Sequence, residues 1–384
     1  MKKTIIKILS YVLVAIVASG TTVFCFFLAQ RKNSTKLQEV QRVIDGYFIG
    51  DVDQVKLEDA AASAMIDALG DRWSYYMSAE QYKTHQQTMS NSYVGIGITV
   101  QAQQDGTGFE IIKVIKDSPA EAAGILIGDR IIAVDDTNVS GTDSSSLSSL
   151  VRGEENTHVK LTILRDQAQT DITVNRKKFQ IPVATHQMLE GKIGLITIEN
   201  FDERCSEETI TAIETLTNQG ATALIFDVRN NPGGYKHELL KVLDYLLPEG
   251  PLFRAVDYRG KETIDYSDKK HLDIPMAVIV NYHSYSAAEF FAAALDEYDA
   301  AVIVGEKTFG KGYFQTTFPL SDGSAVNLSI GKYTTPNGVS LADVGLLPEV
   351  VIPVDEATSA KIAAGILSAE EDPQILAAIN ALKS

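Results

Sequence analysis

Two side chains near the end of the chain have the types and spacing of a serine–lysine hydrolase. Ser286 stands at the start of an apolar, alanine-rich segment, and Lys311 follows 25 residues later between two glycines. A lysine that loses its proton in apolar surroundings can take one from a serine hydroxyl, which then attacks a carbonyl group. The pair predicts covalent hydrolysis, provided that the fold brings the two residues together.

Each of these residues also has a purely structural interpretation. Ser286 with Glu289 three residues on is a capping box, which stabilises a helix N-terminus without catalysis, and Ser284 is a competing cap and nucleophile. Lys311 is compatible with a solvated turn lysine, and Gln315 either orients its amine or lies on a strand face. The residues by themselves leave both interpretations open.

The elements that must position these residues alternate from Phe179 onward. The patterns predict strands at 192–198, 221–228, 276–280 and 301–304 and helices at 206–219, 235–247 and 286–298. This alternation indicates an α/β layered domain with substantial parallel pairing, whose functional loops lie at the carboxyl ends of the strands. The loop NNPGG (residues 230–234) follows one such strand. Its glycines suit either a close approach to a developing negative charge or an ordinary turn.

Residues 92–178 form a β-rich module that resembles a PDZ domain. The resemblance rests on the series SPAEAAG (residues 118–124) and Gly128-Asp129 after the glycine-broken start Gly95-Ile96-Gly97-Ile98. In this interpretation the loop Gly95, Ile96, Gly97 and Ile98 offers backbone N–H groups to a peptide's terminal carboxylate, and the next strand edge pairs with the peptide.

The chain as a whole resembles the carboxy-terminal processing peptidases, the tail-specific serine proteases of peptidase family S41. The likeness extends from about Leu37 to Asp355. It is carried by ALGD (68–71), DVRNNPGG (227–234), SYSAAE (284–289), GEKTFGKG (305–312) and GLLPE (345–349).

This resemblance implies that Ser286 is the nucleophile, Lys311 the general base and Gln315 its orienter. It also implies that the backbone N–H groups of Gly233 and Ala287 form the oxyanion hole, and that the enzyme needs no cofactor or metal. Tyr285 and Ala288 depart from the alanine and serine that the family favours. We therefore expect a bulkier wall beside the nucleophile.

The amino terminus has the pattern of a membrane anchor. The first 32 residues carry five basic and no acidic residues, which leaves 29 basic against 50 acidic residues, a net charge of −21, and disfavours nucleic acid as a partner. Residues 8–29 are uncharged and long enough to span a bilayer, and the preceding lysines predict a cytoplasmic N-terminus with the remainder outside. A signal peptide cleaved near residues 17–19 is the alternative.

These observations predict five regions: an anchor (1–32), a helical region (33–91), the PDZ domain (92–178), a peptidase core (179–355) and a helical tail (356–384). The expected partners are C-terminal tails of extracytoplasmic or membrane proteins. A homodimer through the helical region and an activating accessory lipoprotein also remain open. The alternatives to a Ser–Lys peptidase are an inert PDZ-bearing scaffold protein and a Ser–His hydrolase that uses His283.

Overall fold

The computed structural model describes residues 17, 19–21, 35–103 and 105–383, which divide into two compact units at residue 68. The first unit contains a helical pair, α1 (Lys36–Tyr47) and α2 (Gln54–Asp67). Thr35 and Asp53 cap the two helices by accepting backbone N–H groups of their first turns. The anchor predicted at residues 8–29 falls almost wholly outside the described residues. Within the described parts, no helix is long and apolar enough to cross a membrane.

The second unit begins with a segment for which the sequence predicted helix throughout. Residues 71–74 instead form a turn, and a strand, β1 (Tyr75–Met77), follows before helix α3 (Ala79–Met89). Strand β1 pairs antiparallel with a strand some 250 residues later, with Tyr75 opposite Asn327. This distant pairing gives no local periodicity, so the sequence pattern did not indicate it.

The PDZ region is a small sheet closed by two short helices. Its elements are β2 (Ser92–Gly95), β3 (Ile98–Ala102), β4 (Phe109–Val114), α4 (Pro119–Ala122), β5 (Arg130–Val134), β6 (Thr137–Asn138), α5 (Ser144–Val151), β7 (His158–Arg165), β8 (Ala168–Asn175) and β9 (Lys177–Gln180). Strands β2 and β9 pair with each other as a two-stranded ribbon at the entry and exit of the domain. Ser118 caps α4, and Pro119 is the first residue of that helix.

The region after the PDZ domain supplies the remaining elements. They are β10 (Ala184–Leu189), β11 (Ile193–Ile198), α6 (Cys205–Asn218), β12 (Ala223–Asp227), α7 (Lys236–Leu246), β13 (Gly250–Asp257), β14 (Glu262–Ser267), β15 (Met276–Val280), α8 (Ala287–Glu297), β16 (Ala301–Gly305), β17 (Tyr313–Pro319), β18 (Ala325–Thr334), β19 (Val350–Val351), α9 (Glu356–Ala364) and α10 (Pro373–Ala381).

A six-stranded sheet in the order β10-β11-β12-β15-β16-β19 forms the centre of this region, and all its pairs except β10–β11 are parallel. Its inner strands are continuous apolar runs because both faces are covered. Helices α6, α7 and α8 bury one face, where Phe226 and Phe291 pack edge to face. Helix α10 buries the other face through Ile375 and Ala378. The predicted α/β layered core is confirmed.

A second, antiparallel sheet lies in the order β1-β18-β13-β14, with β17 also paired to β18. The sequence did not predict this sheet. It joins the chain before the PDZ domain (β1) to the segment after Lys311 (β17), so both can reach the site at the carboxyl ends of the parallel strands.

Candidate active site

Ser286 lies in the turn between a buried strand and a buried helix, and its backbone is strained. Strand β15 ends at Val280 and helix α8 begins at Ala287. Ser286 has φ 57° and ψ −121°, a conformation that non-glycine residues rarely adopt and that costs about 1–3 kcal/mol. Such a conformation persists only where the surroundings impose it.

Ser284 belongs to those surroundings and is not a competing nucleophile. It is fully buried, and its hydroxyl donates to the Val228 carbonyl at 2.8 Å and accepts the Asn281 N–H at 3.0 Å. The Asn281 side chain in turn exchanges hydrogen bonds with Asn230, on the neighbouring glycine loop. The two loops are therefore tied together beneath Ser286.

The Glu289 carboxylate joins the nucleophile segment to the lysine segment. One oxygen, Oε2, accepts the backbone N–H of Ser286 at 3.1 Å and of Lys311 at 2.7 Å. The other, Oε1, accepts the Thr308 hydroxyl at 2.8 Å and the Gly310 N–H at 2.9 Å. The bond to Ser286 belongs to a capping box, but three further donors come from the distant segment 308–311. Glu289 therefore does more than cap a helix.

Glu289 is fully buried, and burial raises the pKa of this carboxyl, while its hydrogen bonds act in the opposite direction. The carboxylate uses its acceptor capacity on four donors that would otherwise be unsatisfied in the interior.

The two glycines that flank Lys311 let its segment pack tightly against residues 341–345. Gly310 has φ +93°, and a Cβ atom there would lie 2.9 Å from the Gly345 nitrogen. A Cβ atom at Gly312 would lie 2.5 Å from the Ala342 Cβ. Close backbone packing thus fixes the position from which the lysine side chain extends.

The Lys311 amine is largely buried and interacts electrostatically with the carboxylates of Glu289 and Asp71. Burial lowers the pKa of Lys311 to about 8, although the charges of Glu289 and Asp71 favour the ammonium form. Its Nζ lies 4.5 Å from the centroid of the Trp73 ring. A lysine with this pKa has a substantial neutral fraction near neutrality, which a general base requires.

Tyr333, which the sequence did not indicate, lies between the two predicted catalytic residues. Its buried phenol donates to the backbone carbonyl of Lys311, and the nearby Ser286 hydroxyl acts to lower the phenol's pKa. Burial holds the pKa of Tyr333 well above its ordinary value, so the phenol keeps its proton. That proton is directed to the Lys311 carbonyl.

Four rings form an aromatic cluster over this pocket: Trp73, Tyr282, Tyr285 and Phe309. Phe309 is central, with ring centroids 5.6 Å from Trp73, 5.3 Å from Tyr282 and 5.7 Å from Tyr285. The bulky Tyr285 expected beside the nucleophile is thus part of this cluster.

The Gln315 side chain does not hydrogen-bond to the Lys311 amine in the described part of the chain. Its side-chain nitrogen donates to the Ser329 hydroxyl at 3.1 Å and to the Tyr313 carbonyl at 3.2 Å. Among the described residues, no hydrogen bond joins the Lys311 amine to Gln315 or to the Ser286 hydroxyl. The pairing of β17 with β18 is irregular at Gln315, opposite Ser329, which explains this placement. An orienting role for Gln315 stays a prediction.

The predicted oxyanion residues both lie against Ser286, but their N–H groups differ. A Cβ atom at Gly233 would lie 2.7 Å from the Ser286 Cβ, so only glycine fits there. The Gly233 N–H donates to the Asn231 side chain at 2.9 Å and must leave it before binding an oxyanion. The Ala287 N–H lies in the first turn of α8, where N–H groups have no intrahelical acceptor.

A buried ion-pair network stabilises the end of β12, from which the glycine loop begins. Arg229 forms two hydrogen bonds with Asp227, at 2.9 and 2.5 Å, and lies 2.8 Å from Asp372, the cap of α10. Gln374 accepts another guanidinium hydrogen bond at 2.9 Å. The helical tail, for which the sequence suggested no role, thus holds the strand from which the loop emerges.

The loop at Gly95–Ile98 combines a core residue with an open strand edge. Ile96 is buried in the PDZ core, and a Cβ atom at Gly97 would lie 2.3 Å from the Ser118 Cβ. Strand β3, which follows, pairs only with β4 among the described strands, and α5 packs beside it. The groove between β3 and α5 is where a peptide strand would add, but its ligand stays a prediction.

The remaining candidates contribute no chemistry. The His283 backbone N–H donates to Asn281, and its exposed ring lies against Tyr282. Cys205 is buried, and burial raises the pKa of its thiol. Over the described stretches, no group of three or more His, Cys, Asp or Glu side chains could hold a metal ion.

Comparison with known proteins supplies independent findings. The profile of peptidase family S41 matches residues 192–352, and that of the PDZ domain matches residues 94–175. The carboxy-terminal processing protease CtpA of Bacillus subtilis is 34% identical over 363 residues, which cover 91% of this chain and 78% of that protein.

A probable CtpA-like serine protease of Staphylococcus aureus is 33% identical over 324 residues, 83% of this chain and 65% of that longer protein. Among solved structures, the photosystem II D1 C-terminal processing protease superposes with a TM-score of 0.50 at 26% identity. That match covers 89% of this chain and 94% of the other.

Proposed function

Because the chain belongs to peptidase family S41, the carboxy-terminal processing serine proteases with a PDZ domain, we propose that it is a membrane-anchored, extracytoplasmic endopeptidase with a Ser286–Lys311 dyad. The observation that carries the dyad is the single Glu289 oxygen that accepts the backbone N–H of both residues. This shared acceptor supports the proposal because it holds the backbone of the two residues side by side.

In the proposed reaction, the Lys311 amine reaches the Ser286 hydroxyl and, in its neutral form, takes the hydroxyl proton. The serine oxygen then attacks the peptide carbonyl carbon. The Ala287 N–H, joined by Gly233 once Asn231 releases it, stabilises the oxyanion. The lysine ammonium then protonates the departing amine. A water, activated by the same lysine, hydrolyses the acyl-enzyme and frees Ser286.

The PDZ domain would select the substrate by its end. The open edge of β3 and the N–H groups of residues 95–98 suit an extended peptide with a free terminal carboxylate. The lysine-flanked apolar run at residues 8–29 supports anchoring with the catalytic region outside the cytoplasm. Natural substrates would then be the tails of extracytoplasmic or membrane proteins. A homodimer and an activating lipoprotein are compatible with this assignment.

Cleavage of a peptide with an apolar, free carboxyl end tests this function. Protein lacking residues 1–32 should cleave the peptide, and should cleave its C-terminally amidated counterpart more slowly. Ser286→Ala should abolish cleavage of both, since the other serine of this turn, Ser284, is buried with its hydroxyl bonded to the Val228 carbonyl. His283→Ala, three residues away, is the matched control and should retain activity within about twofold, because its ring is exposed and lies against Tyr282. Undiminished cleavage by Ser286→Ala would refute the proposal.

The pKa of about 8 for Lys311 sets the pH dependence of catalysis. The base must be neutral, so kcat/KM should rise by about tenfold per pH unit below that pKa and level off above it. Initial rates at low substrate concentration across this interval give the profile. A kcat/KM that stays flat or falls as pH rises through about 8 would show that Lys311 is not the base.

A further inference from the structure

Trp73 has a relation to Lys311 that the proposed reaction does not use. It is the only tryptophan in the chain, and it lies in the turn that precedes β1. The Lys311 Nζ lies 4.5 Å from its ring centroid, within the range in which an ammonium group is attracted to the face of an indole.

The segment that carries Trp73 is held rigidly on strand β18. The Trp73 carbonyl accepts the Asn327 side-chain N–H at 3.1 Å, and the Ser74 hydroxyl accepts the Ser329 N–H at 3.0 Å. The Asp71 carboxylate accepts the Trp73 N–H at 3.2 Å and the Ser74 hydroxyl at 2.5 Å. The indole is therefore a fixed wall of the lysine pocket.

The charges around the amine are few and identifiable. Glu289 on α8 and Asp71 before β1 favour the ammonium electrostatically. The Arg72 guanidinium carbon lies 4.7 Å from the centroid of the Trp73 ring and 5.0 Å from that of the Phe309 ring. The same guanidinium group pairs with Asp343 at 3.5 Å. The Tyr285 and Tyr333 phenols, whose pKa values burial raises, stay neutral.

We propose that Trp73 is a positioning residue for the base: its indole face binds the ammonium form of Lys311 and keeps it beside Asp71, so that protonated lysine is held off the Ser286 hydroxyl. The proposal rests on the proposed function in taking Lys311 as the base. The contact itself does not depend on catalysis, which allows the two to be tested separately.

Substitution of the ring gives a shift whose sign is diagnostic. Trp73→Leu keeps an apolar side chain over the amine but removes the aromatic face, so the ammonium form of Lys311 is less favoured. The apparent pKa on the acid side of the kcat/KM profile should therefore fall by about 0.4–1.5 pH units. Trp73→Phe should give a smaller downward shift. Tyr282→Leu changes an exposed ring of the same cluster that packs against Phe309. It is the control and should give no shift. An upward shift in Trp73→Leu would mean that the ring acts only by excluding water, and would overturn the proposal.

Tryptophan fluorescence gives a readout that needs neither activity nor a Trp73 variant. Excitation selective for indole reports this residue alone, so emission of protein lacking residues 1–32 should titrate with a midpoint near the pKa of Lys311, about 8. Lys311→Met should abolish that transition. The contact would be refuted if the transition persisted in Lys311→Met, or if the protein without this substitution showed no transition. A lysine-dependent transition in a protein without peptidase activity would uphold the contact and refute the function.

Discussion

Replacing Lys311 by methionine is expected to lower kcat/KM for peptide cleavage by about 10²- to 10⁴-fold, the usual contribution of a general base. Methionine keeps the apolar stem that packs in the pocket and removes only the amine. The Lys311 N–H bond to Glu289 belongs to the backbone and remains, so the fold should be retained. Steady-state rates, with thermal unfolding measured in parallel, separate a chemical loss from a structural one.

Lys307→Met is the matched control for this experiment. Lys307 is exposed in the same segment, four residues before Lys311, so its loss changes the net charge equally but leaves the amine in place. It should retain activity within about twofold. If Lys311→Met were as active as Lys307→Met, another group would have to deprotonate Ser286, and the dyad would be wrong.

Removing the Glu289 carboxylate is expected to have the second large effect, on stability and activity together. Glu289→Ala leaves three backbone N–H groups and the Thr308 hydroxyl without an acceptor in the interior, at a cost on the order of 3–5 kcal/mol in the free energy of unfolding. It also frees Ser286 from Lys311. Misplacement by about 1 Å can cost about 10²-fold in rate, so kcat should fall at least that far.

Glu297→Ala separates the two consequences. Glu297 lies at the other end of helix α8 and likewise accepts a hydroxyl and a backbone N–H from a distant segment, those of Thr335 and Asn337. Its loss should destabilise the protein but leave kcat of the folded fraction nearly unchanged. Denaturant unfolding and active-site-normalised kcat measure both. Equal kcat losses in the two variants would mean that Glu289 contributes only to stability.

The parts of this site that the sequence predicted are those with a local pattern. Strand β15 is an unbroken apolar run, and helix α8 follows with a capping box and an alanine-rich sequence whose first nine residues are buried. Their order alone places Ser286 at the carboxyl end of a parallel strand. The same local signals predicted the glycine loop and most elements of the PDZ domain.

The parts that it missed depend on contacts between residues far apart in the chain. Trp73 reaches Lys311 only because β1 pairs with β18, and Tyr333 enters the site from that same strand. Asp372 supports the glycine loop only through Arg229, more than 140 residues earlier. An apolar or charged residue gives no local sign of such a partner. Gln315 shows the converse, because spacing suggested a contact with Lys311 and the irregular pairing of β17 directs it to Ser329 instead.

The central claim is that the chain is a peptidase whose nucleophile, Ser286, is deprotonated by Lys311. Its most direct test is covalent capture with a fluorophosphonate, followed by mass spectrometry of the digested protein. We predict a single adduct on Ser286, absent in Ser286→Ala and formed far more slowly in Lys311→Met, with loss of peptide cleavage in proportion to labelling. Modification at another residue, Ser284 included, that accompanies the loss of activity would contradict the account.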